Sequence, residues 1–219
     1  MFDGSPLLIS LRAAIVASIY VFVAGTLAAR VFLGSSGRVA SLIDTVCTLP
    51  MVLPPTVVGF FLLVLFGRNG PLSWLWDLTG KGIVFTWHAT VLAACVVSFP
   101  LMYRSARGAF EQVDEQQIWA ARTLGMREWQ IFLKVLMPNA WPGILAGLSL
   151  SFARALGEFG ATLMIAGNIP GRTQTIPMAI YFATAGGDMR TAWVWVGIMV
   201  AISFGSLAFA SYLDTRRNR

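Results

Sequence analysis

Charge is scarce in this sequence. Asp, Glu, Lys and Arg make up 12% of 219 residues, about half of the roughly one quarter usual in soluble domains. Hydrophobic residues reach 57% and mean hydropathy is +0.71, which excludes an ordinary water-solvated domain. Histidine occurs once and cysteine twice, so neither a His/Cys metal cluster nor a disulfide framework can be built. Cys47 and Cys95 sit in apolar runs without ligand spacing and read as small packing hydrophobes. No polar interruption approaches the roughly 100 residues that a separate catalytic domain needs. A phosphate loop is also missing: "TGKG" at 79–82 has the lysine but neither the upstream glycine nor a following Ser or Thr. The net charge of +6 is spread over loops on two faces, not gathered on one stripe, which argues against nucleic-acid binding.

What the chain has instead is apolar length. Five stretches near 7–30, 42–66, 83–103, 139–166 and 191–213 reach the roughly 20 residues that cross a bilayer. They predict an all-α polytopic membrane protein, one transmembrane domain over 1–219, with membrane lipid as its solvent. "MFDGSPLLIS" begins with an acid where a cleavable leader has a basic region, so the first span is expected to remain uncleaved. Lys and Arg in connecting segments number ten on one side (Arg30, Arg38, Arg104, Arg107, Arg122, Arg127, Lys134, Arg216, Arg217, Arg219) and five on the other (Arg12, Arg68, Lys81, Arg172, Arg190). Cytoplasmic loops hold the excess, so the N-terminus is expected outside and the C-terminus inside. "GNIPGRTQTIPMAIYFATAGGD", at 167–188, then reads as an exterior loop holding a short re-entrant or interfacial helix around Met178 to Thr184.

Several spans contain irregularities. Pro50, Pro54 and Pro55 fall within "TLPMVLPPTVVGF", so the second span must break or kink. Such a break serves either as a structural kink or as the lining of a wet pathway. In the fourth span Gly143, Gly147, Ser151 and Ala155 recur every four residues, a small-residue stripe suited to helix packing within the chain or across a homodimer, or to contact with a permeating solute. Arg154 and Glu158 lie one helical turn apart, as a self-neutralising pair facing the interior, a snorkelling pair at the outer interface, or a pathway or gating pair. His88, beside Trp87, reads as an interfacial or buried structural histidine.

Between the third and fourth spans, residues 104–138 are more polar. From Phe110 to Leu124 there is neither proline nor glycine, with acids early and Arg122 late, which predicts one helix. Gly125 fits a left-handed helix end, after which Trp129, Phe132, Val135 and Leu136 recur at helical spacing up to Pro138. With five bases and four acids, this hairpin is too nearly neutral to grip anionic lipid. Packing against its own bundle and docking to a separate protein are the two readings the residues leave.

"AARTLG", followed nine residues later by "VLMP", resembles the cytoplasmic coupling motif of binding-protein-dependent ABC importer permeases. Ala120, Ala121, Gly125 and Pro138 match in register; Trp119 stands where that family usually has glutamate, Val135 where it has isoleucine and Met137 where it has leucine. "LPMVLPPTVVGFFLLVLFGRNGPL" and "FARALGEFGATLMIAGNIPGRTQTIPMAIY" resemble the molybdate branch, whose relatives carry sulfate, thiosulfate or tungstate. The resemblance implies a type I ABC importer permease fold: five transmembrane helices plus a coupling helical hairpin, in a bacterial inner membrane. It further implies a homodimer with a second copy, two ABC ATPase subunits that hold ATP and magnesium, and a periplasmic oxyanion-binding protein delivering molybdate. Ala120, Ala121, Arg122, Thr123, Leu124 and Gly125 would contact the ATPase, and Pro54, Pro55, Arg154 and Glu158 are candidates for pathway or gating. No catalytic residue, metal site or cofactor is expected on this chain. An ion-coupled secondary carrier would call for internal repeats and more intramembrane acids, and an intramembrane enzyme for a nucleophile with its base; the sequence offers neither.

Overall fold

The computed structural model describes residues 3–35, 37–74 and 82–217, with side chains to residue 206. Helix is the only regular structure among them. In order these are α1 (Ser5–Val31), α2 (Arg38–Val52), α3 (Pro55–Phe66), α4 (Trp87–Glu111), α5 (Glu115–Thr123), α6 (Glu128–Ile131), a π-helical turn (Phe132–Leu136), α7 (Met137–Leu156), α8 (Gly160–Ala166), α9 (Ile176–Ala185) and α10 (Met189–Arg217). Among the described residues four helical runs are long and apolar enough to cross a membrane: α1, α4, the run Glu128–Leu156, and α10 over Met189–Ser206. The pair α2–α3, bent by 113°, makes a fifth if it counts as one span.

The core is built from α1, α4 and α7, and small residues set its spacing. On α1 the buried positions Ala13, Ala17, Val21, Gly25 and Ala29 repeat every four residues. A Cβ on Gly25 would lie 2.9 Å from the Met102 Cγ of α4. On the other flank of α4, a Cβ on Gly143 would lie 2.6 Å from the Ala109 Cβ, and one on Gly147 would collide with Ser105. Close backbone approach of this kind substitutes for the hydrophobic drive that lipid does not supply. Tyr103, Phe110, Met102 and Ile144 fill the space between. α1 and α4 run parallel, since Cys95 meets Ala17 and Met102 meets Gly25, whereas α7 runs against them, from Gly143 beside Ala109 to Gly147 beside Ser105. That alternation puts the 104–138 hairpin at the end of the bundle where α1 finishes. Cys47 and Cys95 both pack, half-buried, against the first core cluster.

Three boundaries differ from the sequence reading. The fourth apolar stretch is not one helix: α7 ends at Leu156, and Gly157 and Phe159 separate it from α8. Arg154, Gly157 and Glu158 interrupt the hydropathy there, but the stretch on both sides is apolar enough that its overall length still reads as one span. The third span starts at Trp87, not 83, because residues 82–86 form a turn in which Phe85, at φ 60°, donates its N–H to the Ile165 carbonyl at 3.0 Å. At its other end α4 runs on to Glu111, past the expected boundary at 104, and the continuous helix expected from Phe110 to Leu124 is interrupted at 112–114. Asp114 is responsible: its carboxylate accepts the Gln116 N–H at 2.9 Å and starts α5 afresh. α9 occupies Ile176–Ala185, around the short helix expected at 178–184. Part of the "TGKG" stretch, residues 79–81, lies outside the described residues.

Candidate functional site

The hairpin holds its shape through backbone capping. α5 ends in two bonds that wrap its last turn: Met126 N–H donates to the Ala121 carbonyl at 3.1 Å and Gly125 N–H to the Arg122 carbonyl at 2.9 Å. Gly125 sits at φ +76°, the left-handed conformation this closure needs and which a side chain disfavours. The chain then turns into α6, where the Gln130 side chain accepts the Arg127 N–H at 2.8 Å. A π turn follows before Pro138, with Met137 N–H reaching back to the Phe132 carbonyl. The wider turn accommodates a proline, which lacks an N–H and crowds the preceding turn.

One carboxylate ties this hairpin to the membrane core. Glu128 meets Arg122 Nε at 2.8 Å through one oxygen and Arg30 Nη2, at the end of α1, at 3.0 Å through the other. The Arg122 hydrogen bond, with help from Arg30, holds the Glu128 carboxyl below its ordinary range, and Glu128 in turn raises Arg122. A second link joins α2 to α4, where Arg107 Nη1 contacts Asp44 at 2.8 Å and the buried Tyr103 hydroxyl donates to the same carboxylate at 3.0 Å.

Ala121 faces inward at 4% exposure, and Ile118 packs half-buried on the core. The other face is open: Ala120, Arg122, Thr123 and Gly125 are exposed, and the large apolar side chains Trp119 and Leu124 are 63% and 82% exposed. Trp129 is also exposed, while Ile131 and Leu136 on the following turns are buried. An apolar tip at the polar end of a membrane bundle is a surface suited to protein contact.

Beside the hairpin, Arg104, Gln112, Asp114, Gln117 and Asn139 line a cavity of about 600 Å³. Arg104 and Gly108 on the prolonged α4, with Gln112 at its end, recur every four residues and were the available signal for it, hidden by placing the helix end too early.

Deeper in the bundle, two helix breaks meet. α2 and α3 are separated at Leu53–Pro54, α7 and α8 at Gly157–Phe159, and a Cβ on Gly160 would stand 3.2 Å from Pro55 and 3.3 Å from Thr56. One helical turn on, a Cβ on Gly59 would approach the Ala161 Cα to 2.7 Å. Neither glycine drew notice in the sequence, because each is required only by the partner it touches. Glu158 lies in the second break, with its side chain 1% exposed. One carboxylate oxygen accepts the Ala161 N–H at 2.8 Å, and the other pairs with Arg154 Nη1 at 2.8 Å. The two residues are therefore partners across a helix end, not along one continuous helix. Pro54 and Pro55 adjoin this junction. Gly143, Gly147, Ser151 and Ala155 lie elsewhere, on α7: the first two against α4, Ser151 fully buried, and Ala155 packed among Ala13, Ala14 and Ala94. His88 is exposed, its ring edge-on to Trp87 at 5.5 Å. Among the described residues no three His, Cys, Asp or Glu side chains gather closely enough to hold a metal ion.

Comparison with known proteins adds to this geometry. Residues 21–219 match the family model described as binding-protein-dependent transport system inner membrane component. The chain is 47% identical over 176 residues to the molybdenum transport system permease protein ModB of Escherichia coli (strain K12), covering 79% of this chain and 76% of that one. With the protein of the same name from Haemophilus influenzae it shares 42% identity over 202 residues, 91% of this chain and 86% of the other. Among solved structures, a chain of the MetNI methionine ABC transporter in an inward-facing conformation superposes with a TM-score of 0.78 at 16% identity, covering 98% of this chain and 95% of that one, which is a likeness of fold.

Proposed function

The chain belongs to the family of binding-protein-dependent transport system inner membrane components, and we propose that it is the permease subunit of an ATP-driven importer of molybdate. One observation carries the reading: a hairpin locked at Gly125 and clamped through Glu128 holds exposed Trp119 and Leu124 at one end of the bundle. The named function of the molybdenum permeases that resemble this chain supplies the cargo.

In this reading two copies pair around a central pathway. Two ATPase subunits, carrying ATP and magnesium, receive the hairpins through the exposed Ala120, Arg122, Thr123, Leu124 and Gly125, whereas Ala121, expected at that contact, is buried and seats α5 on the bundle. A binding protein delivers the anion from the opposite face, the N-terminus lies outside and the C-terminus in the cytoplasm. Nucleotide binding draws the two hairpins together. Because Glu128 joins each hairpin to α1 and α5 adjoins α4, that movement reaches the bundle core as displacement of helices and not as bending of loops. The junction of two broken helices, at Pro54 and Pro55 against Gly160, is where the spans change their relative angle, with the Arg154–Glu158 pair keeping α8 capped as they do. A bistable bundle of this kind needs nucleotide and loaded binding protein to favour different states. The passage itself holds the dianion weakly, since a tight site would slow release.

The test is uptake of labelled molybdate by cells with and without this chain, with the ATPase disabled in parallel and sulfate or tungstate as unlabelled competitor. Uptake that requires both proteins and resists excess sulfate is the expected result. ATPase-dependent uptake that follows sulfate would leave the architecture and change the cargo. Uptake indifferent to the ATPase would end the coupling assignment.

A further inference from the structure

At the end of the bundle opposite the hairpin, Arg12 and Arg172 border one cavity of about 280 Å³, whose remaining lining is Leu8, Ile9, Trp87 and Gly171. Among the described residues neither guanidinium meets a carboxylate. The described acids of that end are engaged elsewhere: Asp3 with Ser5, Asp188 with Thr191, and Glu158 with Arg154. Arg12 is the eighth residue of α1, roughly 10 Å along the axis from its start at 1.5 Å per residue. Arg12 and Arg172 are both exposed, and two like charges on one cavity repel unless an anion lies between them.

The arrangement is held in place. The loop carrying Arg172 is fastened to α1, because Ile176 N–H donates to Ser10 Oγ at 2.8 Å. Within the loop the fully buried Thr173 hydroxyl donates to the Gly167 carbonyl at 2.8 Å and accepts the Ile169 N–H at 3.0 Å. Two arginines are thus kept side by side by hydrogen bonds that do not involve their own charges. The other wall of the cavity is apolar: Leu8 is 55% exposed on the outer surface of α1, and Trp87 opens α4. Tryptophan favours the membrane–water interface, where an apolar ring body and a polar edge are both accommodated.

We propose that Arg12 and Arg172 bind a tetrahedral phosphate-type oxyanion, and that its bearer is an anionic phospholipid whose glycerol and upper acyl portion lies along Leu8 and Trp87. Guanidinium forks match phosphate oxygens in geometry as well as charge. A free inorganic anion would satisfy the arginines and leave the apolar wall without a role. The site rests on α1 and α4 being membrane spans and is independent of the cargo and of the ATPase.

Native mass spectrometry of the full chain in its purified assembly, extracted from nanodiscs of equal phosphatidylglycerol and phosphatidylcholine, reads the retained lipid directly. Wild-type protein is expected to retain phosphatidylglycerol preferentially, and the Arg12→Lys/Arg172→Lys variant, which keeps the charge and loses the fork, to retain a weaker preference. The Arg12→Gln/Arg172→Gln variant is expected to lose that preference by about tenfold. Millimolar phosphate or molybdate should leave wild-type retention unchanged. If the double glutamine variant does not assemble, the single Arg172→Gln variant, altered only at an exposed loop position, carries the same comparison. Equal retention by wild type and glutamine variant would overturn the proposal. So would displacement of the lipid by phosphate or molybdate, which would make this a free-oxyanion site. Loss of binding-protein-stimulated ATP hydrolysis with lipid retention intact would make it a protein-docking patch instead.

Discussion

Arg154 and Glu158 differ sharply in what each can tolerate losing. The Glu158 side chain is 1% exposed and that of Arg154 33%, so removal of the arginine strands a buried carboxylate, whereas removal of the glutamate leaves a cation with access to water or lipid headgroups. Glu158 also caps α8 through the Ala161 N–H. Arg154→Ala is therefore expected to destabilise by about 3 kcal/mol, the scale for a buried charge deprived of its partner. The double alanine variant should be less damaging than Arg154→Ala, since it deletes the stranded charge along with its partner. Thermal unfolding in detergent of both single variants and the double variant reads the coupling, and additive losses would mean that the two side chains act separately.

At the scale of the element, the hairpin depends on one backbone conformation. Gly125 is at φ +76° and its N–H donates to Arg122. Proline there would fix φ near −65° and delete the donor, so Gly125→Pro is expected to unwind the end of α5 while the spans still insert. Protease sensitivity should rise around residues 123–128, and uptake should fall to background. Wild-type uptake by this variant would remove the hairpin from the mechanism. The same element illustrates why helix ends are hard to place. Asp114 restarts a helix within a stretch free of proline and glycine, and a single carboxylate-to-backbone bond decides the outcome.

For the whole molecule, the arrangement of spans governs what is presented to partners. α1 and α4 run parallel and α7 opposes them, so Arg30, α5 and α6 converge at one end and Arg12, Arg172 and α9 at the other. The proposed ATPase contact then centres on Leu124, 82% exposed and without a packing role within the chain. Leu124→Glu is expected to release the ATPase during copurification, with a tenfold or greater loss of affinity, corresponding to about 1.4 kcal/mol or more. Its unfolding temperature should match that of the wild type. Retained ATPase would place the contact elsewhere on the hairpin.

Class, approximate span positions, the broken second span and the left-handed glycine of the hairpin follow from the sequence itself. Apolar length, proline and glycine act locally, and a bilayer or a turn imposes the same demand wherever they occur. The four-residue stripe of α7 was visible for the same reason, and that of α1, from Ala13 to Ala29, equally could have been. Tertiary structure decided the rest. The break at Gly157–Phe159 finds its place only against the break at Pro54, Gly59 and Gly160 matter only because Ala161 and Pro55 approach them, and Arg12 and Arg172 border one cavity only because Ser10 holds a distant loop. Each of these depends on residues far apart in the chain being brought together, and no local pattern encodes which partner a side chain will find.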